Sequence, residues 1–155
     1  MIILGIDPGT ASTGYGVIKK TKTLKCLEYN VIHTLPNSDP GKRLRIINNE
    51  LSKIIKKYKP DILAIENLYF FKNLKTAIPV SQAKGAILLM AAKKKLPVRE
   101  FTPLQVKLAI TGNGRADKKE IQEEIRKMLK LKKIPKPDDA ADALAIAITY
   151  VLREA

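Results

Sequence analysis

The chain opens on a short apolar run, MIILGID, which predicts a buried strand. Two stretches follow, STGYGVIKK and LKCLEYNVIHT, in which apolar and polar positions alternate as in strands. Short turns separate the three, which favours an antiparallel meander. The period then changes. In GKRLRIINNELSKIIKKY, Leu44, Ile47, Leu51, Ile54 and Ile55 recur at helical spacing with lysines opposite. PDILAIEN returns to a short, fully apolar strand. After a loop at LYFFKN comes a helical stretch over about residues 75 to 95. Pro79 falls near its start and is expected to kink the first turn or reset the helix N-terminus. VREFT predicts a fifth strand. PLQVKLAIT and DKKEIQEEIRKMLKL predict helices around the loop GNGR, and a last helix runs from about Asp138 to the C-terminus. The sum is an α/β protein: a mixed five-stranded sheet, three antiparallel strands and then α/β units, with helices on both faces. With no repeat and no linker, it reads as a single domain over residues 1–155.

Charge adds a partner to this picture. Lys and Arg number 29 against 15 Asp and Glu, a formal net charge of +14. Such an excess points to a polyanion, nucleic acid before an acidic membrane. The N-terminal apolar run is too short for a signal peptide, and no stretch approaches the ~18 apolar residues of a membrane span, so the expectation is a cytoplasmic protein with no membrane partner. Cys26 is the only cysteine and His33 the only histidine. These counts exclude an intrachain disulfide and Cys₄ or Cys₂His₂ zinc, and argue against a histidine-centred triad. A metal here would be held by oxygen, which suggests Mg²⁺ or Mn²⁺.

Against that basic background, PKPDDAADALAIAI concentrates acids at the head of an alanine-rich helix. Asp139 and Asp142 lie about 60° apart on that helix and share a face. Asp7 ends the first strand and Glu66 the fourth, where ligands bind in α/β sheets. Each acid has an ordinary reading alone. Asp7 in DPG is a turn residue, Glu66 a solvated strand end, and Asp138, after Pro137, an N-cap or helix-dipole partner. Together they have another. Carboxylates about 5 Å apart repel by roughly 1 kcal/mol in water and several-fold more in a low-dielectric cleft. Four of them need cations, and two divalent ions would neutralise them in the arrangement used for phosphodiester hydrolysis.

The blocks GIDPGTASTGYGVI, AIENLYFFKN, SQAKGA, TPLQVKLAITGNGRADKKEI and DDAADALAIAI resemble the RuvC family of Holliday-junction resolvases, in order and spacing, from Ile3 to about Tyr150. The resemblance implies a ribonuclease-H-like fold and a homodimer that cuts four-way DNA junctions by paired symmetric nicks. It implies two Mg²⁺ ions per site, with Mn²⁺ as a substitute, held by Asp7, Glu66, Asp139 and Asp142. It places basic residues of the scissile phosphate on Lys107 and Lys118, and the base-stacking aromatic on Tyr69, where the family commonly has phenylalanine. Arg115, in the GNGR loop, joins the DNA-binding set. A RuvA–RuvB branch-migration complex is the implied partner. On chemistry alone Lys107 and Lys118 also read as solvated charges, and the Tyr69–Phe71 cluster as core. Three rival functions remain at this level: a junction-binding protein without nuclease activity, an actin-like or sugar-kinase-like ATPase, and a nuclease of RNA–DNA hybrids or RNA.

Overall fold

The computed structural model describes residues 1–67 and 74–155. Its elements are β1 (Ile2–Asp7), β2 (Ser12–Lys20), β3 (Leu24–His33), α1 (Pro40–Tyr58), β4 (Ile62–Glu66), α2 (Leu74–Lys93), β5 (Val98–Phe101), α3 (Pro103–Thr111), α4 (Lys118–Met128) and α5 (Asp138–Glu154). The five strands form one sheet in the order β3-β2-β1-β4-β5. The first three pair antiparallel, and β4 and β5 add in parallel. This is the expected mixed, ribonuclease-H-like sheet.

The period-2 alternation of the strands sorts side chains to two cores. Ile3 of β1 and Ile62 and Ala64 of β4 meet residues of α3, α4 and α5, including Val106, Ile125 and Leu144. Leu4 and Ile6 of β1 and Leu63 and Ile65 of β4 meet α1 and α2 through Ile47, Leu51, Ala83 and Ile87. Helices therefore cover both faces. The alternation also decides where the two strand-end acids go. Asp7 follows Ile3 and Gly5, and Glu66 follows Ile62 and Ala64, so both face α5.

Helix starts carry their own chemistry. Asp39 caps α1 by accepting from the Lys42 N–H at 3.0 Å. Thr102 and Gln105 form a capping box on α3. Asp117 caps α4 by accepting from the Glu120 N–H at 2.8 Å.

Two local expectations are corrected. Asp138 is not the N-cap of α5. Pro137 holds that position without a side-chain bond, and Asp138 begins the helix, in the first turn, where its charge still favours the N-terminal dipole. Its carboxylate accepts from Gln122 Nε2 at 3.2 Å and lies 3.5 Å from Lys118 Nζ, so it is turned toward α4 and not back onto its own backbone. Pro79 does not reset the start of the helix. It lies inside α2, past the first turn, and the helix runs on to Lys93. A proline there removes one ladder bond close to an end whose first four N–H groups have no intrahelical acceptor anyway.

Candidate active site

What lets four acids meet is how closely α5 lies on the sheet. A Cβ added at Gly14 would stand 2.0 Å from the Asp139 carbonyl oxygen, and one at Gly5 would stand 2.1 Å from the Ala143 oxygen. Gly16 is similarly close to the Leu144 side chain. Register places Gly14 opposite Asp7 and Gly16 opposite Gly5. Glycines on β1 and β2 thus form a floor that only a small-faced helix can press against, and Ala140, Ala143 and Ala147 supply that face, all fully buried. Asp139 and Asp142 are carried down onto Asp7.

Ligand oxygens of Asp7, Asp139 and Asp142 lie within 4.8 Å of one another. Glu66 stands outside that trio but is hydrogen-bonded to Asp7. Two carboxyls bond only if they share a proton between them. Burial, then the charge of Glu66, then Asp142 and Asp139, push Asp7 far above the usual carboxylate range. Burial is also the largest cause raising Glu66 and Asp142, opposed in both by Lys118. The cluster therefore carries more negative charge than the fold satisfies. An all-oxygen donor set with unmet charge fits hard divalent cations and not zinc or copper.

The exit of β1 is pinned. The Thr13 hydroxyl donates to the Gly9 carbonyl at 2.5 Å. The Thr34 hydroxyl donates to the Thr10 carbonyl, and its N–H to the Ala11 carbonyl at 3.0 Å. Arg43 Nε in turn donates to Thr34 Oγ1 at 2.9 Å. Buried threonines thus fix the loop after Asp7 from below.

Lys118 begins α4 and reaches over the acids, 3.5 Å from Asp138 Oδ2 and 3.7 Å from Asp142 Oδ2. Burial pulls its ammonium down, but Asp142, Asp138 and Asp139 together outweigh this and raise it. Its side chain is 56% exposed, so these pairs contribute little to stability. Lys107 lines the same cleft of about 260 Å³ as Glu66, Asp142 and Lys118, over an apolar floor that includes Val106 and Ile121. Arg115 is exposed in the loop between α3 and α4, its N–H bonded to Asn113 Oδ1 at 2.9 Å. Tyr69 lies outside the described residues. Sequence reasoning missed the glycine floor, although glycine inside a strand signals close backbone approach. It also missed Asn67 and Lys84, next to Glu66.

Comparison with known proteins follows this geometry. The family model described as crossover junction endodeoxyribonuclease RuvC matches residues 3–150. The crossover junction endodeoxyribonuclease RuvC of Fusobacterium nucleatum subsp. nucleatum is 51% identical over 152 residues, 97% of this chain and 80% of that protein. The solved structure of Thermus thermophilus RuvC superposes with a TM-score of 0.90 at 34% identity, covering 98% of this chain and 94% of the other. A second structure, T. thermophilus RuvC in complex with Holliday junction substrate, also gives 0.90, at 31% identity and the same coverage.

Proposed function

This chain belongs to the RuvC family of crossover junction endodeoxyribonucleases and is a metal-dependent nuclease that resolves four-way DNA junctions, and we propose that Asp7, Glu66, Asp139 and Asp142 are the carboxylates that carry the reaction. The observation that supports this is their convergence at the ends of β1 and β4 under α5, with more negative charge than the surrounding protein neutralises. The site takes two Mg²⁺ ions, with Mn²⁺ able to substitute. Bound there, divalent ions supply an acidified water as nucleophile and stabilise the leaving 3′ oxygen.

The chain's own residues do the rest. Asp7, central to the cluster, would be among the carboxylates that hold the cations. Asp139 and Asp142, about one helical turn apart on α5, offer their oxygens beside Asp7. Lys118 and Lys107, which line one cleft with Glu66 and Asp142, would steady the charge on the scissile phosphate. Arg115 and Tyr69 extend DNA contact beyond the site.

The working unit is a homodimer, because symmetric nicks need two sites related by a two-fold axis. Ile78, Gln82, Gly85 and Leu89 on α2 are all exposed and follow a seam of alternating four- and three-residue steps. Ile78 is 61% and Leu89 58% exposed, and a Cβ at Gly85 would meet nothing within 4 Å, which leaves room for a second backbone. A RuvA–RuvB complex as partner rests on family resemblance alone.

The test is cleavage of a synthetic mobile four-way junction beside a matched linear duplex and an RNA–DNA hybrid, in Mg²⁺ and in chelator. Paired, metal-dependent nicks at symmetric positions on the junction alone are expected. Cutting of the hybrid would overturn the substrate, and tight junction binding without cleavage in either metal would overturn the enzyme.

A further inference from the structure

Glu66 is the last residue of a five-residue strand and must hold its carboxylate against Asp7 and Asp142, which repel it once ionised. The next residue is gripped twice. The Asn67 N–H donates to the Phe101 carbonyl at 2.8 Å, continuing the ladder to β5 by one bond. Its side-chain Oδ1 accepts from Lys84 Nζ at 3.1 Å. The same ammonium lies 2.9 Å from Glu100 Oε2 on β5. One cation from α2 therefore spans the exits of two neighbouring strands, at the position where Glu66 pairs with Phe101.

This contact is unlike the chain's surface ion pairs. The Lys84 side chain is 20% exposed, less than any other cation in the ion pairs of the described residues, whose values run from 33% to 74%. Lys84 also lines, with Pro8 and Glu66, a cleft of about 310 Å³ between α2 and the strand ends. A partly desolvated ammonium holding a side-chain amide and a carboxylate fixes geometry better than a solvated pair does.

We propose that Lys84 is a positioning residue of the metal site: acting through Asn67, it holds the Glu66 carboxylate in place and thereby sets the affinity for the divalent cation. The inference rests on Glu66 being a metal ligand. Groups that orient a ligand from behind typically change metal affinity or activity by ~10–100-fold when removed. Lys84 never touches the reacting atoms, so its loss is repaired by more metal, unlike the loss of a ligand.

The experiment is Mn²⁺ binding to the full chain by calorimetry, without DNA, alongside the Mg²⁺ dependence of junction cleavage. Lys84→Met is expected to bind Mn²⁺ at least ~10-fold more weakly and to need correspondingly more Mg²⁺, with the rate largely restored at saturation and Lys84→Arg intermediate. Asn67→Ala breaks the same clamp from its other end. It is expected to give the same shift, with no further loss in the double variant, and it keeps the test decisive if Lys84→Met does not fold. Wild-type Mn²⁺ affinity and Mg²⁺ dependence in either folded variant, whatever its melting temperature, would overturn the proposal and leave Lys84 as a tie between α2 and the sheet. Glu66→Gln runs in the same titration. If it binds Mn²⁺ as wild type does, the ligand reading of Glu66 falls and the proposal with it. If it binds weakly while Lys84→Met does not, only the proposal falls.

Discussion

The close seating of α5 makes Gly14→Ala a quantitative test of how the site is assembled. The new Cβ would lie 2.0 Å from the Asp139 carbonyl oxygen and 2.4 Å from its carbonyl carbon. Both are backbone atoms of a buried helix and cannot rotate away. A carbon–oxygen contact needs at least ~3 Å, so the first turn of α5 must retreat by about 1 Å. Displacement of a reacting group by ~1 Å costs on the order of 100-fold in rate. Overpacking of this kind destabilises by ~1–3 kcal/mol, a few degrees in Tm or more for a chain of this length. The assay is single-turnover cleavage of a four-way junction in Mg²⁺, with junction affinity measured in Ca²⁺ and melting followed separately. The expected result is a rate about 100-fold lower, retained junction binding and a modest fall in Tm. Gly16→Ala is the internal comparison. Its nearest neighbour is the Leu144 Cδ2 methyl at 2.7 Å, a side-chain end that can give way, so its rate falls less. A folded Gly14→Ala protein cutting at the wild-type rate would refute the idea that the glycine floor sets the distance between Asp7 and Asp139.

Asp7→Asn is expected to abolish cleavage while junction binding persists, and in chelator to melt higher than wild type, because an amide needs neither the charge nor the proton uptake that a carboxyl in that buried, like-charged position requires; a lower Tm in chelator would contradict the burial argument. The sign carries into pH. Folding raises the Asp7 pKa, so the stability from its protonated form is complete below the ordinary carboxylate range and is lost as pH rises toward the elevated value; melting against pH in chelator should fall in that direction, and saturating Mg²⁺ should flatten the profile. Glu28→Gln tests a latch on the far face, where Glu28 accepts from Lys57 Nζ at 2.7 Å, Tyr58 Oη at 2.5 Å and Tyr15 Oη at 2.8 Å. Its carboxylate is lowered to about 2, chiefly by Lys57 and then Tyr58, so the stability it contributes is present above the ordinary carboxylate range and lost as pH falls toward that value. The substitution should cost ~1–3 kcal/mol by denaturant melting and leave cleavage unchanged, and a loss of rate at full stability would count against its being structural only.

Much of the fold was legible because β1 and β4 are short apolar runs, β2 and β3 alternate, and the helices carry their own longer period. Side chains alternate along each strand, so once the structure pairs Ile3 with Ile62, counting on to Asp7 and Glu66 puts both acids on one face. The seating of α5 was less legible, because it depends on pairing Gly5, Gly14 and Gly16 with particular turns of a helix far along the chain, and no local pattern encodes that register. Asp138 shows the opposite failure. Its local context read as a cap or a dipole partner; only the second fits its place in the first turn, and Gln122 and Lys118 on α4 hold its carboxylate. Pro79 was placed near the start of its helix, but the sequence did not show that the helix begins ahead of it, at Leu74. Lys84 was hidden in a different way. Within SQAKGA it is one more lysine in a chain with 29 basic residues, and only the fold shows that it is partly buried against Asn67.

The balance of charge explains how binding and cutting can be separated in one molecule. A formal charge of +14 draws the phosphate backbone to the surface whether or not cations are present, and ~6–10 phosphate contacts would make that attraction fall steeply with salt. At the carboxylate cluster the sign is reversed. A scissile phosphate brought there without cations would meet Asp7, Glu66, Asp139 and Asp142, and Lys118 is already engaged with Asp138 and Asp142. The protein's positive charge thus recruits the junction but cannot seat the reacting group. On the proposed reading, divalent cations held by the acids would supply the missing positive charge, and Lys118 would then be available to the phosphate. Substitutions among the acids should therefore act on cleavage and leave junction binding intact, whereas salt should act on binding first.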